Sequence, residues 1–338
     1  MINFQYARAA DVADAVRLLN ADPGAKLIAG GTNLVDLMKE NVERPSRLID
    51  ISRLQLGQVE QTPDGGLLIG ALVPNSDLAY HPLVVRNYPL LGSAILAGAS
   101  AQLRNMASVG GNLMQRTRCA YFYDTATPCN KRHPGTGCSA IEGANRGHAI
   151  LGTSEACIAV YPSDMCVALA ALDARVRITG PSGDRTMPLV DFHRLPGDTP
   201  HLDTNLAAGE IITAIELPPR GFSERYSYLK IRDRLSYAFA LVSVAAALEL
   251  DGEQIGEARL ALGGVAHKPW RKLEAEALLR GQPAAEANFA RAADALLQGA
   301  KAYAHNGFKI ALARRAIVRT LAQAANATPQ SQSHKKIA

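Results

Sequence analysis

The sequence is 338 residues long, enough for two or three domains with cores of their own and too long for one ordinary domain. Its composition, 48% hydrophobic and 20% charged, is that of a soluble globular protein, and the longest apolar run, 238–250, falls short of the roughly 18 residues of a membrane span. The net charge of +5 comes from 36 basic and 31 acidic residues scattered along the chain, with no basic block interleaved with aromatics, which speaks against a nucleic-acid partner.

In chain order, Asp11 is placed to cap a helix whose apolar face is Val12, Ala15, Val16 and Leu19, and Asp22-Pro23-Gly24 turns the chain into a strand over 26–29. That strand ends at Gly30-Gly31-Thr32-Asn33, and Leu34, Val35, Leu37 and Met38 read as the next helix. A strand that delivers a glycine turn to a helix start is a candidate phosphate site. Segments 48–51 and 67–73 read as strands, Pro74-Asn75-Ser76-Asp77 as a helix entry, and 90–99 as a compact apolar helix before a second glycine turn. Ser163-Asp164 opens a helix through Leu172, 175–179 is a strand, and Pro181-Ser182-Gly183-Asp184 turns into another. Pro218-Pro219-Arg220-Gly221 is the clearest linker signal. Beyond it come strands at about 226–231, 238–250 and 258–265, then helices at about 271–280, 286–299 and 308–325, the last with Ile310, Ala313, Ile317 and Leu321 on one face. Residues after about Asn326 are polar and read as disordered. The boundary near 220 thus separates a glycine-rich α+β nucleotide domain from a smaller sheet-plus-helices domain. The N-terminus, Met1-Ile2-Asn3-Phe4, has neither a charged nor an apolar leader region, so no export signal is expected in this chain.

Two segments carry one pattern: Ile28-Ala29-Gly30-Gly31-Thr32-Asn33-Leu34 and Ser108-Val109-Gly110-Gly111-Asn112-Leu113. Paired glycines let consecutive backbone amides converge, and Thr or Asn adds a side-chain donor, which makes a nest for phosphate oxygens. A single Gly-Gly marks a tight turn; two related copies point to a diphosphate held between them. Neither copy matches Gly-x-Gly-x-x-Gly or the Walker pattern. Four of the five cysteines, Cys119, Cys129, Cys138 and Cys157, fall in a loop-rich stretch with nine, eight and eighteen residues between them. Three readings are open for them. Zinc knuckles would use shorter Cys-x2–4-Cys spacings, structural disulfides would suit an oxidising compartment, and four thiolates are the ligand count of a [4Fe–4S] cluster. His133 and His148 lie in the same stretch and rank below the cysteines as ligands, whereas Cys166, on the helix after Ser163-Asp164, reads as a small buried hydrophobe. Arg116, Arg118, Lys131 and Arg132 either offset the charge of a thiolate centre or serve surface solubility.

The ordered set 28–34, Leu103-Arg104-Asn105-Met106-Ala107-Ser108-Val109-Gly110-Gly111-Asn112-Leu113 and Pro162-Ser163-Asp164 resembles the FAD-binding subunit of the xanthine dehydrogenase (molybdenum hydroxylase) family, over nearly the whole chain. The resemblance implies an α+β fold: a two-lobed FAD-binding domain of the vanillyl-alcohol-oxidase (PCMH) type over 1–220, with lobes of about 1–55 and 56–220 and a cysteine-rich insertion at about 115–157. A C-terminal domain of the CO-dehydrogenase-flavoprotein type follows over 221–326, and a disordered tail over 327–338. It also implies that FAD is held by Lys26, Leu27, Ile28, Ala29, Gly30, Gly31, Thr32, Asn33 and Leu34 on one loop and Ser108, Gly111 and Asn112 on the other. Asp164 would take a ribitol or ribose hydroxyl, or cap its helix. Ile212, in Gly209-Glu210-Ile211-Ile212, would pack on the isoalloxazine, and Lys230 would reach the pyrimidine edge, where a cation stabilises reduced flavin; the plainer alternatives are a core Ile and a solvated strand Lys.

Most such subunits lack the insertion. Residues 116–124 and 128–132 resemble the subgroup typified by bacterial periplasmic aldehyde oxidoreductases, which carries it with a [4Fe–4S] cluster on four cysteines. No nucleophile triad or carboxylate pair stands out in the sequence, so no catalytic residue is expected in this chain. A [2Fe–2S] small subunit and a molybdopterin-containing large subunit are the implied partners, and export on a partner's twin-arginine signal is the implied route to the periplasm, with the cytoplasm as the alternative. Neither glycine segment contains His or Cys, so FAD is expected to be non-covalent. Two rivals remain: a self-contained flavin oxidase that oxidises its substrate at the flavin, and a zinc-stabilised interaction module with vestigial glycine loops.

Overall fold

The computed structural model describes residues 1–219, 221–235 and 237–332. In the first lobe, strands β1 (Gln5–Arg8), β2 (Ala25–Ile28) and β3 (Arg47–Asp50) form a parallel sheet in the order β1-β3-β2. Parallel neighbours need crossovers, and the helices Val12–Ala21 and Leu34–Lys39 supply them. Asp11 does cap the first, its side chain accepting from the Asp14 amide at 2.7 Å.

The second lobe is an antiparallel sheet of β4 (Val59–Gln61), β5 (Leu67–Gly70), β6 (Arg175–Gly180), β7 (Gly183–Pro188) and β8 (Ile211–Leu217), in the order β4-β5-β8-β6-β7. The apolar helices Pro89–Ala97 and Asp164–Ala171 pack together beneath it, and both are buried nearly all round. The strand expected over 67–73 ends at Gly70. Beyond it the Ala71 amide still donates to the Thr213 carbonyl of the neighbouring strand at 2.9 Å, but the carbonyls of Ala71 and Val73 accept from Gly110 (2.7 Å) and Val109 (3.0 Å) and hold the second glycine segment. Ile211 reaches back into the core of the first lobe with Ala15, Val16 and Ile49.

The C-terminal part is an antiparallel sheet of β9 (Tyr226–Ile231), β10 (Val242–Asp251) and β11 (Gln254–Gly263), covered by the helices Glu286–Leu296 and Phe308–Ala325. The helix expected over 271–280 is only Leu273–Ala277, because Trp270 exchanges both backbone hydrogen bonds with Leu262 and is held at the sheet edge. The tail expected to be disordered is held as far as Gln332: the Gln330 amide donates to Ser227 Oγ at 3.2 Å and Gln332 Nε2 to the Tyr228 carbonyl at 2.9 Å. Residues 333–338 of that tail, and Arg220 of the linker, lie outside the described residues. Among the described residues no helix is long and apolar enough to cross a membrane.

Candidate functional site

β2 runs directly into the first glycine segment. A Cβ on Gly30 would stand 1.6 Å from the Met106 carbonyl oxygen, so glycine there lets this loop lie against the residues that lead into the second one. Gly31 takes φ +71°, and its carbonyl accepts from Val35 at 3.0 Å to start the next helix. The amides of Gly30, Gly31, Thr32 and Asn33 have no hydrogen-bond partner among the described residues. Asn33 Oδ1 accepts from the Arg116 amide at 3.0 Å, while its Nδ2 is buried without a partner. Four open amides and a buried side-chain donor on one loop form a receptor for an anion with several oxygens. Ile28 and Leu34 flank the loop half-buried, and Lys26, at its base, lies 3.6 Å from Glu43.

The second segment differs from the first. It is the short helix Val109–Leu113, whose N-cap is Ser108: Ser108 Oγ accepts from the Gly111 amide at 3.2 Å, and the Ser108 carbonyl from Asn112 at 2.8 Å. With Val109 and Gly110 bonded to Val73 and Ala71, the amides of 109–112 are spent within the protein. The expectation of two equivalent amide nests is therefore corrected. What this segment offers is the exposed surface of Gly111 and the side chains of Ser108 and Asn112.

Asn112 Oδ1 accepts from Ser163 Oγ at 2.6 Å, which ties the second segment to the helix Asp164–Ala171. Ser163, not Asp164, is the N-cap of that helix, accepting from the Cys166 amide at 3.1 Å. The Asp164 carboxylate faces the C-terminal sheet: Tyr228 donates to Oδ1 and Lys230 Nζ to Oδ2, both at 2.7 Å. Lys230 also donates to the Ala97 carbonyl at 3.2 Å, and its side chain is 2% exposed, so it is not a solvated strand lysine. Asp164 and Lys230, expected to contact different parts of one ligand, are thus brought together as an ion pair between β9 and the second lobe. Ile212 lies on β8 opposite Ile178 and is buried in the core beneath.

The insertion brings the four cysteines close. Cys129 and Cys138 face each other across an antiparallel bridge in a hairpin whose tip is shaped by Asn130, its Oδ1 accepting from the amides of Gly135 (3.1 Å) and Gly137 (2.8 Å). Cys119 and Cys138 each stand at the N-cap of a one-turn helix, Ala120–Tyr123 and Ser139–Glu142. Nearby backbone amides favour the charged form of three sulfurs: those of Phe122 and Tyr121 at Cys119, of Ala140, Ile158 and Ile141 at Cys138, and of Ala159 at Cys157. The contact between Cys138 and Cys157 holds Cys138 below the usual thiol range and raises Cys157, whereas burial lifts Cys119 to about 11. All four are free thiols, so no disulfide pairs them. Among the described residues no three His, Cys, Asp or Glu side chains are arranged to hold a metal ion. Four free thiols are the donor type and number that a four-iron cluster takes.

Two histidines meet this cage. His148 Nε2 lies 3.1 Å from Cys119 Sγ, and His267 Nε2, from the loop after β11, lies 3.6 Å from Cys157 Sγ. Burial lowers both, to about 4 and about 3, so both rings are neutral at neutral pH. His133 is exposed. Of the basic residues of the insertion, Lys131 acts on a cysteine, its charge favouring the Cys157 thiolate, and all four are tied into the protein by polar contacts. Arg116 bonds Asp203 and Glu43, both at 2.7 Å; Lys131 pairs with Asp203 and donates to the Pro200 carbonyl; Arg118 pairs with Asp36 at 2.6 Å; Arg132 is spent on the carbonyls of Tyr121, Phe122 and Thr127. They pin the insertion to the two lobes. Cys166 is fully buried beside the Tyr161 hydroxyl at 3.2 Å, and burial pushes its thiol up to about 11. Sequence reasoning missed Asp203, Tyr228 and His267, each of which acts across more than sixty residues of chain and sits in no motif.

The FAD binding domain in molybdopterin dehydrogenase matches residues 2–220, and the CO dehydrogenase flavoprotein C-terminal domain matches 226–324. The chain is 53% identical over 322 residues to the aldehyde oxidoreductase FAD-binding subunit PaoB of Escherichia coli K12, covering 95% of this chain and 98% of that protein. It is 30% identical to the glyceraldehyde dehydrogenase medium chain of Sulfolobus acidocaldarius, across 81% of this chain and 79% of that one. A carbon monoxide dehydrogenase structure from Hydrogenophaga pseudoflava superposes with a TM-score of 0.76 at 26% identity, covering 97% of this chain and 99% of that one.

Proposed function

The chain belongs to the FAD-binding medium subunits of the molybdenum hydroxylase family, and on that footing we propose that it is the FAD- and [4Fe–4S]-carrying electron-transfer subunit of a molybdenum-dependent aldehyde oxidoreductase. In this reading a molybdopterin-containing large subunit oxidises the aldehyde, a [2Fe–2S] small subunit delivers the electrons to this chain, and an external acceptor removes them. The aldehyde class is supported by the likeness to the aldehyde oxidoreductase subunit PaoB and to the glyceraldehyde dehydrogenase medium chain. Bound FAD supplies a centre at which one-electron and two-electron transfers meet.

The observation that carries the flavin part is the loop Gly30–Asn33, four open amides and the unpartnered Asn33 Nδ2, held against the approach to the second segment. These donors, with residues 26–34 as the loop's walls, take the diphosphate, and Ser108, Gly111 and Asn112 face it from the other side. Asp164 keeps lone pairs beyond those used by Tyr228 and Lys230 and accepts from a sugar hydroxyl. Lys230 stands beside Asp164 at the domain junction, and Ile212 lies on β8 within the core of the second lobe. Cys119, Cys129, Cys138 and Cys157 hold the cluster through four free thiols, the charged form of three of them favoured by nearby backbone amides. For location we propose the periplasm, reached with a twin-arginine-bearing partner.

Mixing aldehydes with the purified chain, alone and in its complex, tests the assignment. Flavin absorption should bleach only in the complex; bleaching of the isolated chain would favour a self-contained oxidase. Visible spectra and metal analysis of the same samples should show flavin and about four irons per chain. Zinc in place of iron, without flavin bands, would favour the interaction module.

A further inference from the structure

Two histidines from different parts of the chain touch the cysteine cage. His148 belongs to the insertion, but His267 comes from the C-terminal domain, 110 residues beyond Cys157. Each ring presents Nε2 to one sulfur, His148 to Cys119 at 3.1 Å and His267 to Cys157 at 3.6 Å. In each ring Nδ1 is buried without a hydrogen-bond partner, so the sulfur is the one group that a ring proton can serve.

Both rings are held firmly in place. The His148 amide donates to the Asn145 carbonyl at 2.9 Å, and its own carbonyl takes Lys309 Nζ at 2.7 Å from the start of the C-terminal helix. His267 is fixed by its neighbours, the Ala266 carbonyl accepting from the Tyr161 amide at 2.9 Å and Lys268 Nζ donating to the Val190 carbonyl at 2.7 Å.

We propose that His148 and His267 are positioning residues for the cysteine centre, each donating its Nε2–H to a thiolate, to Cys119 and Cys157 respectively. The assignment rests on the reading that the four cysteines hold a [4Fe–4S] cluster. A donor at a ligating sulfur offsets negative charge, and the reduced cluster carries more of it, so the two hydrogen bonds favour reduction. The C-terminal domain thereby sets a property of a centre whose ligands all lie in the other domain.

The test uses the full chain purified in its complex, with His267→Phe and His267→Gln compared to the parent by iron content, flavin content and redox titration followed by EPR. In the Phe variant iron and FAD are expected to stay, while the ratio of reduced to oxidised cluster at a fixed potential falls about tenfold, equivalent to about 59 mV for one electron. Gln retains an N–H near the sulfur, and most of the parent midpoint should return. Loss of iron from the Phe variant alone, with a parent-like midpoint in the Gln variant, would also support the assignment. An unchanged midpoint in an iron-replete Phe variant would overturn it, as would loss of iron from both variants, which would make the imidazole a ligand. A parent complex without iron would overturn the cluster reading itself. His148→Phe, measured the same way, checks the second hydrogen bond.

Discussion

A methyl group at Gly30 would stand 1.6 Å from the Met106 carbonyl oxygen and 2.6 Å from its carbon, so Gly30→Ala must push the two glycine segments apart. Overpacking of this kind costs about 1–3 kcal/mol. The variant should purify with much less bound flavin and melt at a lower temperature; flavin absorption equal to the parent would remove this loop from the cofactor site. At Asp203, burial by itself would raise the carboxyl, but Lys131 and Arg116 outweigh it and hold the group at about 2. A depressed carboxylate stabilises the fold above its unfolded value and stops doing so as pH falls through its folded one. Asp203 should therefore contribute fully at neutral pH and lose that contribution between about pH 4 and about pH 2. Asp203→Asn leaves Lys131, with a side chain 1% exposed, without its counter-charge, at a cost of about 3–5 kcal/mol at pH 7. Denaturant melts at pH 7 and pH 3 should show that cost shrinking with acid. The pair was not legible in the sequence: Lys131 and Asp203 lie 72 positions apart, and each alone reads as a surface charge.

At the level of elements, the strands and long helices follow from local periodicity, and the short ones do not. Residues 308–325 read as a helix and are one, because five turns repeat the same apolar face. Val109–Leu113 has a single turn, too short for any period, and its two glycines argue for a turn instead; Ser108 as N-cap and the carbonyls of Ala71 and Val73 make it helical. The hairpin carrying Cys129 and Cys138 has the same origin, since Asn130 folds it by accepting two amides across a tip where Gly135 and Gly137 take φ +88° and +100°. The hairpin lies outside the three main hydrophobic cores, with Cys129 in a small cluster of its own beside Leu37 and Phe122. Cys129→Ser should therefore bring iron to background while FAD content stays near the parent's, read from metal analysis and the flavin spectrum of one sample. Loss of both together would place the insertion within the stability of the flavin fold.

At the scale of the whole molecule, the two domains share their cores. Tyr228, Ala245, Ala247 and Ala261 of the C-terminal sheet are buried with β5, β8 and the helix Asp164–Ala171, and Ile150 and Leu151 from the end of the insertion are buried with the C-terminal helices. Polar contacts follow the same seam: Lys309 Nζ donates to the carbonyls of His148 (2.7 Å) and Gly147 (3.2 Å), and Arg271 to that of Ala170 (2.7 Å). Thermal unfolding followed by flavin fluorescence and by far-ultraviolet circular dichroism should give coincident transitions. Two separated steps would show that the domains are stable independently. The sequence by itself determined what depends on neighbours along the chain: the periodic elements, the glycine segments and the number of thiols. Only the tertiary structure decided which amides stay open at Gly30–Asn33, that Asp164 meets Lys230, and that His267 reaches Cys157 from the other domain. Each of these depends on which distant group occupies a hydrogen-bonding direction, and no local pattern of residues encodes that choice.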